Sequence, residues 1–267
     1  MFNGQKGLLN GQFNGLQTDN KDFSLSSTFV EQEALSQLEG LTNEFFFPNT
    51  NNDRKREIES ILSEFSSFLN SWHISFLYFQ RTNNEYTKMF CLTVIEKFIN
   101  QRWHTLPTDV RSTFCGSLWN HLIEKHASMT TPIRNKYCKI VVSIARFDWP
   151  YSYPDYLTNV LELQMPETIH NILHSSGLIL LGLNLLGMTV EELTSSTCNY
   201  YFSSNRQVEL IKIMESNLPN MLHSLTSLLE LIISKHINFI SATPPPSPTN
   251  SPPSSFTDFN SKSMLNF

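Results

Sequence analysis

The feature that most constrains the fold is a pair of amphipathic segments within residues 133–163, which meet at Trp149-Pro150. In the first segment apolar residues recur at spacings of three and four, so they share one helix face. These residues are Ile133, Tyr137, Ile140, Val141 and Ile144. Pro150 lacks the N–H and the φ freedom to continue a helix, and it forces Trp149 out of helical geometry. Pro154 suits the first turn of a second helix, where its missing N–H costs little.

A helical hairpin without neighbouring strands leaves an apolar face that another hairpin must cover, which is the logic of stacked helical repeats. Trp103 ends another predicted helix, and its separation from Trp149 fits the period of about 40–47 residues of HEAT and armadillo repeats. We therefore predict an all-α, HEAT- or armadillo-type solenoid. Trp103, Trp149, Pro150 and Pro154 are its predicted structural hinges.

Most of the remaining chain also has helical periodicity, and no alternating strand pattern bounded by turn residues is present. Asn51, Asn52 and Asp53 can cap one of these helices and Asn84 another. The other predicted helices span residues 33–47, 53–69, 72–80, 84–103, 108–126, 168–186 and 205–239, the last broken near Pro219.

The two ends of the chain differ from its middle in composition. Residues 1–30 are rich in Asn, Gly and Gln and lack the apolar run of a secretory signal. Residues 241–267 contain the stretch TPPPSPTNSPPSS, whose proline density is incompatible with helix and strand. We predict disordered tails at these ends, around repeat segments 31–130 and 131–240. The proline-rich stretch is interpreted as a linker, with a phosphorylated Ser-Pro segment or a polyproline ligand as alternatives.

The overall composition limits the partners and the compartment. With 40% hydrophobic residues, the 267-residue chain can form one large domain or part of a solenoid. A formal net charge of −5, with scattered Lys and Arg, predicts no nucleic-acid partner. The cysteines are far apart and form no CxxC pair, so they are predicted to be reduced, buried thiols of a cytosolic or nuclear protein. They are Cys91, Cys115, Cys138 and Cys198.

Motifs for chemistry are missing from the sequence. No GxSxG, Walker or GxGxxG pattern occurs, so we predict no enzyme and no cofactor. Glu167, His170 and His174 place two histidines one turn apart, but without the HExxH order or a third ligand they predict a solvated helix start rather than a metal site. Residues 177–188 are very apolar but shorter than the roughly 18–20 residues of a membrane span, and they include Asn184. We predict a buried central helix there.

Two stretches of the chain resemble the exportins of the importin-β superfamily. Residues 91–107, CLTVIEKFINQRWHTLP, resemble the second-repeat signature, a helix that ends in an aromatic-rich RW…LP turn. Residues 133–155 resemble the exportin-1-like region with its WPxxxPD hinge. RKREIE at 54–59 and TVEEL at 189–193 extend the resemblance, which covers about residues 33–240 and the N-terminal part of such proteins.

This resemblance implies a nuclear export receptor that shuttles between nucleus and cytoplasm. Members of the family bind the GTP form of the small GTPase Ran through their N-terminal repeats, hold protein cargo and contact nuclear pore proteins. Relatives of this type carry actin, usually with profilin. GTP hydrolysis takes place on Ran, so no catalytic residue is implied here. Cargo and GTPase would raise each other's affinity by linkage.

Repeat stacking uses the apolar helix faces, so a partner has to contact the polar faces. The predicted Ran-facing residues are Glu96, Lys97 and Asn100 on one helix and Lys136, Lys139 and Arg146 on another. One alternative is a HEAT-type scaffold unrelated to transport. A second, an RNA-carrying relative, would need a continuous basic surface, which 24 acidic against 19 basic residues do not favour.

Overall fold

The computed structural model describes residues 24–164, 172–194 and 204–242, and the side chains of 31–164, 176–194 and 205–238. Every regular element in these ranges is helical, which confirms the all-α prediction. The α-helices are α1 (Ser24–Phe46), α2 (Asn52–Ser67), α3 (Ser71–Arg81), α4 (Glu85–Arg102), α5 (Thr108–Lys125), α6 (Thr131–Asp148), α7 (Tyr156–Glu162), α8 (Ile172–Thr194) and α9 (Ser204–Ala242). Short 3-10 helices, Trp103–Thr105 and His126–Ser128, follow α4 and α5. The predicted disorder of residues 1–23 and 243–267 lies outside the described residues.

Local side-chain chemistry sets several helix starts as predicted. The Asn51 side chain accepts a hydrogen bond of 2.8 Å from the Arg54 amide at the start of α2. The Asn84 side chain accepts one of 3.0 Å from the Thr87 amide at the start of α4. Each side-chain oxygen replaces a partner that the first amides of a helix lack.

Other helix boundaries differ from the predictions. The first helix begins at Ser24 rather than at residue 33, so residues 24–30 of the predicted tail are helical. The predicted start of α8 near residue 168 lies outside the described residues, and its end is Thr194 rather than residue 186. The predicted break near Pro219 is wrong, because α9 runs through it to Ala242. Pro219 is exposed, so the carbonyl that loses its N–H partner there can be solvated.

The helices pair along the chain and then stack. The pairs α3–α4, α5–α6 and α7–α8 each pack together, and α4 contacts α6 while α6 contacts α8. The first helix, α1, packs on α4 and so extends this row. Ile95, Ile99 and Ile140 are fully buried within the row. Because each helix pair contacts mainly the next one, the architecture is that of a helical repeat.

Hydrogen bonds between successive pairs report the repeat period directly. The Thr42 and Thr87 hydroxyls bond at 2.7 Å across 45 residues of sequence. The Trp103 indole and Asp148 are also 45 residues apart, and Arg146 and Glu192 are 46 apart. Equivalent positions of neighbouring repeats therefore touch, at the period expected for HEAT and armadillo repeats.

The hinge at Trp149-Pro150 has the predicted form in part. Trp149 is in extended geometry at the end of α6, and its peptide bond to Pro150 is cis. Its ring is buried, with its centroid 6.3 Å from that of Tyr156 in α7, so it packs between the two helices that it joins. The prediction for Pro154 is wrong. This residue is exposed in the turn before α7, not in the first turn of that helix. The Ser152 and Tyr153 amides donate to the Asp148 carbonyl, and this turn delays the start of α7 to Tyr156.

The apolar α8 helix is buried on one face only. Leu181, Leu185 and Leu193 are buried, whereas Leu180 is exposed, so the predicted burial of this helix holds for one face and not for the other. Residues 176–194 are long and apolar enough for a membrane span by length and composition, the one such helix among the described residues. Packing on α6 and α7 gives its buried face a role within the repeat stack.

The chain divides into two compact units, Met1–Leu228 and Leu229–Phe267. All helix pairs above belong to the first unit. The described part of the second unit is the end of α9.

Candidate functional site

The structure brings four of the six predicted partner-binding residues together. Glu96 of α4 and Lys136, Lys139 and Arg146 of α6 form a chain of ion pairs with Glu192 of α8. We call these five residues the polar ladder. It crosses the row α4–α6–α8, so it joins three successive repeats.

Lys139 occupies the centre of the polar ladder. Its Nζ atom is 4.0 Å from Glu96 Oε1 and 3.7 Å from Glu192 Oε1. Lys136 donates a hydrogen bond to Glu96. Arg146 Nη1 donates to Glu192 Oε2 at 3.0 Å. Three cations thus face two carboxylates, and the ladder has a net positive charge.

The members of the polar ladder differ in accessibility. Lys139 is 49% exposed, whereas Glu96 and Glu192 are each 17% exposed. The predicted exposed position of Arg146 is wrong, because its residue is only 6% exposed. The charge remains tolerable there because it is paired with Glu192. A partner at this surface can therefore contact Lys139 readily but not Arg146.

The remaining two predicted residues lie outside the ladder. Lys97 is exposed on α4 and donates to the Ser66 hydroxyl of α2 at 3.2 Å. Asn100 is half-buried, one turn further along α4. Lys97 and Lys139 are consequently the two predicted cations with exposed side chains.

Sequence reasoning missed the residues of α8 that complete this surface. Glu192 supplies one of the ladder's two carboxylates, and Asn184 donates to Asn135 of α6 at 3.1 Å. A usable signal was the period, since these partners lie 46 and 49 residues apart. Glu192 lies about one repeat after Arg146 and carries the opposite charge, and this spacing would have indicated the ion pair.

A second polar cluster joins the two tryptophan hinges. The Trp103 indole donates to Asp148 Oδ2 at 2.9 Å, and Arg111 of α5 pairs with Oδ1 of the same carboxylate. Burial raises the pKa of Asp148, against the opposing effect of these two donors. Arg206 of α9 donates to backbone carbonyls at the end of α6, including that of Arg146 at 3.3 Å. Cations at a helix C-terminus are stabilising, so this cluster fixes where α6 ends.

The cysteine thiols and the possible metal ligands among the described residues give little basis for a catalytic or metal site. Burial raises the pKa of the Cys115 and Cys138 thiols to about 12, so neither is a nucleophile near neutral pH. Among the described residues, no group of three His, Cys, Asp or Glu side chains could hold a metal ion. Glu167, His170 and the side chain of His174 lie outside the described residues, as does Cys198.

A cleft of about 450 Å³ lies between α3 and α5. Its lining includes the aromatic rings of Trp72, Phe76 and Phe114, with His73 and Asp109 among the polar residues. This mainly apolar lining suits an apolar side chain of a peptide better than a charged substrate.

Comparison with known proteins identifies the family. Residues 58–124 match the family model described as "Importin-beta N-terminal domain", and residues 130–251 match that of "Exportin 1-like protein". The chain is 38% identical to Exportin-6-A of Xenopus laevis over 222 residues, which is 83% of this chain and 18% of that protein. It is 38% identical to Exportin-6 of Homo sapiens over 82% of this chain and 18% of that protein. Exportin-6 of Dictyostelium discoideum is 21% identical over 77% of this chain and 19% of that protein.

The chain belongs to the exportin family. It spans about a fifth of the length of the exportin-6 relatives that it matches. The polar ladder spans both matched regions. Glu96 lies in residues 58–124, and the ladder residues of α6 and α8 lie in residues 130–251.

Proposed function

We propose that this chain is part of a nuclear export receptor and binds the GTP form of the small GTPase Ran. The observation that carries the proposal is the 38% identity with human Exportin-6 over 82% of the chain. The helical-repeat fold supports it, because small rotations between repeats add up and let a solenoid change its curvature around partners.

The surface that we assign to Ran is the row α4–α6–α8, around Lys97 and Lys139. Both lysines have exposed side chains, and Lys139 stands at the centre of a ladder with net positive charge. Exposed charges steer a partner of opposite charge and set its orientation more than they add to affinity. Glu96, Lys136 and Arg146 then act by holding the ladder in place, and Asn100 borders it.

The cargo that we propose is protein, specifically actin with profilin. On this proposal the receptor moves between nucleus and cytoplasm and contacts nuclear pore proteins. We assign those contacts to the apolar cleft between α3 and α5, which is separate from the surface assigned to Ran. Because the polar ladder links three repeats, a GTPase bound there alters the packing of repeats that also hold cargo. Each partner then raises the affinity of the other by the same factor.

The test of the surface is a titration of fluorescent, GTP-loaded Ran against the wild type and the Lys97→Glu/Lys139→Glu variant. Two reversed charges at an exposed interface should weaken binding between about twofold and thirtyfold, mainly through slower association. The matched control is Lys125→Glu/Lys212→Glu, which reverses two exposed lysines on α5 and α9, outside the row.

The results discriminate between surface and function. Equal binding by the wild type and the double variant would show that Ran uses another face of the chain. Equal weakening by Lys125→Glu/Lys212→Glu would show that the effect depends only on the net charge of the chain. If the wild type does not bind GTP-loaded Ran, the export proposal fails and a scaffold role becomes the better account.

A further inference from the structure

The start of α6 carries a sequence motif that protein kinases select. Thr131 is followed directly by Pro132 and, at the third position, by Arg134. Proline-directed kinases offer no acceptor for the backbone N–H that follows the phosphorylated residue, so they select proline, which has no N–H. A base at the third position is the pattern that the cyclin-dependent members of this class favour. Of the four Ser-Pro and Thr-Pro pairs in the chain, Thr131-Pro132 is the one among the described residues.

The Thr131 hydroxyl is accessible to an enzyme. Both Thr131 and Pro132 are exposed. Met129 and Thr130, immediately before them, have extended backbones, the form in which kinases bind their substrates. The first amides of α6 lack partners within the helix, so its first turn opens at small cost. Thr130 is already engaged, since its hydroxyl donates to Glu85 Oε2 at 2.5 Å, and Thr131 is therefore the available acceptor of the two threonines.

The surroundings of Thr131 suit a phosphate. Arg134 lies on the same face of α6, and its Nη1 donates to the His126 carbonyl at 3.3 Å, so the guanidinium lies toward the start of the helix. The N-cap residue, Thr130, makes no side-chain hydrogen bond to the first amides of α6. A phosphate there can accept charge-assisted hydrogen bonds from the guanidinium and from these amides. Glu85 would repel it, but Glu85 is exposed, so water and salt screen its charge.

We propose that Thr131 is a phosphorylation site of a proline-directed kinase and that its phosphate stabilises the start of α6. In the reaction the γ-phosphoryl group of Mg²⁺-bound ATP is transferred to Thr131 Oγ1. A new O–P bond forms as the bond from the γ-phosphorus to the β,γ-bridging oxygen breaks, the hydroxyl proton passes to the catalytic aspartate of the kinase, and ADP leaves. The product has a charge of about −1.5 to −2 at the end of the helix where negative charge is favourable. This proposal does not depend on binding to Ran.

Treatment of the full chain with a cyclin-dependent kinase and ATP, followed by mapping of the phosphate by mass spectrometry, tests the site. We expect phosphate on Thr131 of the wild type. Pro132→Ala should be modified there at least about tenfold more slowly, because its new N–H finds no acceptor in the kinase. The matched control, Pro107→Ala, replaces another exposed proline at a helix start and should leave the rate unchanged. Phosphate found only in the proline-rich stretch 243–255 would overturn the proposal.

Hydrogen exchange tests the effect of the phosphate. In the wild type, phosphorylation should slow the exchange of the amides of residues 134–138 about threefold to tenfold, since the start of α6 gains charge-assisted hydrogen bonds. Thr131→Val treated with the same kinase is the control, because it can carry phosphate in the proline-rich stretch but not on α6, and its exchange should not change. Equal exchange in phosphorylated and unmodified wild type would contradict the stabilisation. A similar slowing in Thr131→Val would assign the effect to the other phosphates and also refute it.

Discussion

Replacement of Asp148 by alanine should be among the most damaging single changes in the chain. The Asp148 side chain is 3% exposed, and it accepts the indole hydrogen bond of the fully buried Trp103 while pairing with Arg111. Breaking a buried ion pair from one side costs about 3–5 kcal/mol, because the other charge is left unpaired. The orphaned indole N–H costs about 1–3 kcal/mol. Arg111 is 17% exposed and can be partly rehydrated, so we expect a total of about 3–5 kcal/mol rather than the sum.

Urea unfolding followed by circular dichroism measures this cost. Asp148→Asn keeps an oxygen acceptor for the indole and loses only the charge, so it should cost less, about 1–3 kcal/mol. Asp53→Ala, a carboxylate that is 93% exposed, is the control and should cost under about 1 kcal/mol. If Asp148→Ala lowers the free energy of unfolding by less than about 1 kcal/mol, the cluster does not hold the two tryptophan hinges together and our account of it is wrong.

Three further predictions concern packing and pH. Trp149→Ala should destabilise the chain by about 3–5 kcal/mol in the same urea assay, and a shift no larger than that of a surface change would contradict its burial. Gly182→Ala should cost about 1–3 kcal/mol, because a Cβ there would lie 2.9 Å from that of Leu163, whereas Gly187→Ala has open space and should stabilise α8 by about 0.5–1 kcal/mol. The hydrogen bonds from Arg54 lower the pKa of Glu44, so the ionised carboxylate stabilises the fold above about pH 4, and this contribution is lost as the pH falls. Glu44→Gln should therefore be less stable than the wild type at pH 7 and equally stable in acid. Thermal unfolding at the two pH values measures the difference.

Most of the fold follows from local sequence signals. The spacing of apolar residues predicts the long helices, and Asn51 and Asn84 cap helices as their side chains allow. Local signals fail where tertiary packing decides. The helical start at Ser24 precedes the first periodic apolar run, and the continuity of α9 through Pro219 depends on an exposed position that tolerates a missing hydrogen bond.

The candidate site was predictable only in part, for a physical reason. A helical projection places Lys139 and Arg146 on one polar face of α6, but it contains no information on the neighbouring helix. Packing of α8 buries Arg146 against Glu192 and leaves Lys139 accessible. The ladder is thus a product of repeat stacking.

The most direct test of the central claim compares the affinity of the wild-type chain for Ran loaded with GTP and with GDP. A receptor segment that recognises the GTP form should bind it at least about tenfold more tightly, a difference of about 1.4 kcal/mol. The comparison holds the two proteins and the salt constant, so general charge attraction contributes equally to both titrations. A preference for GTP-loaded Ran is the result that our account predicts, and equal affinity for the two forms would contradict it.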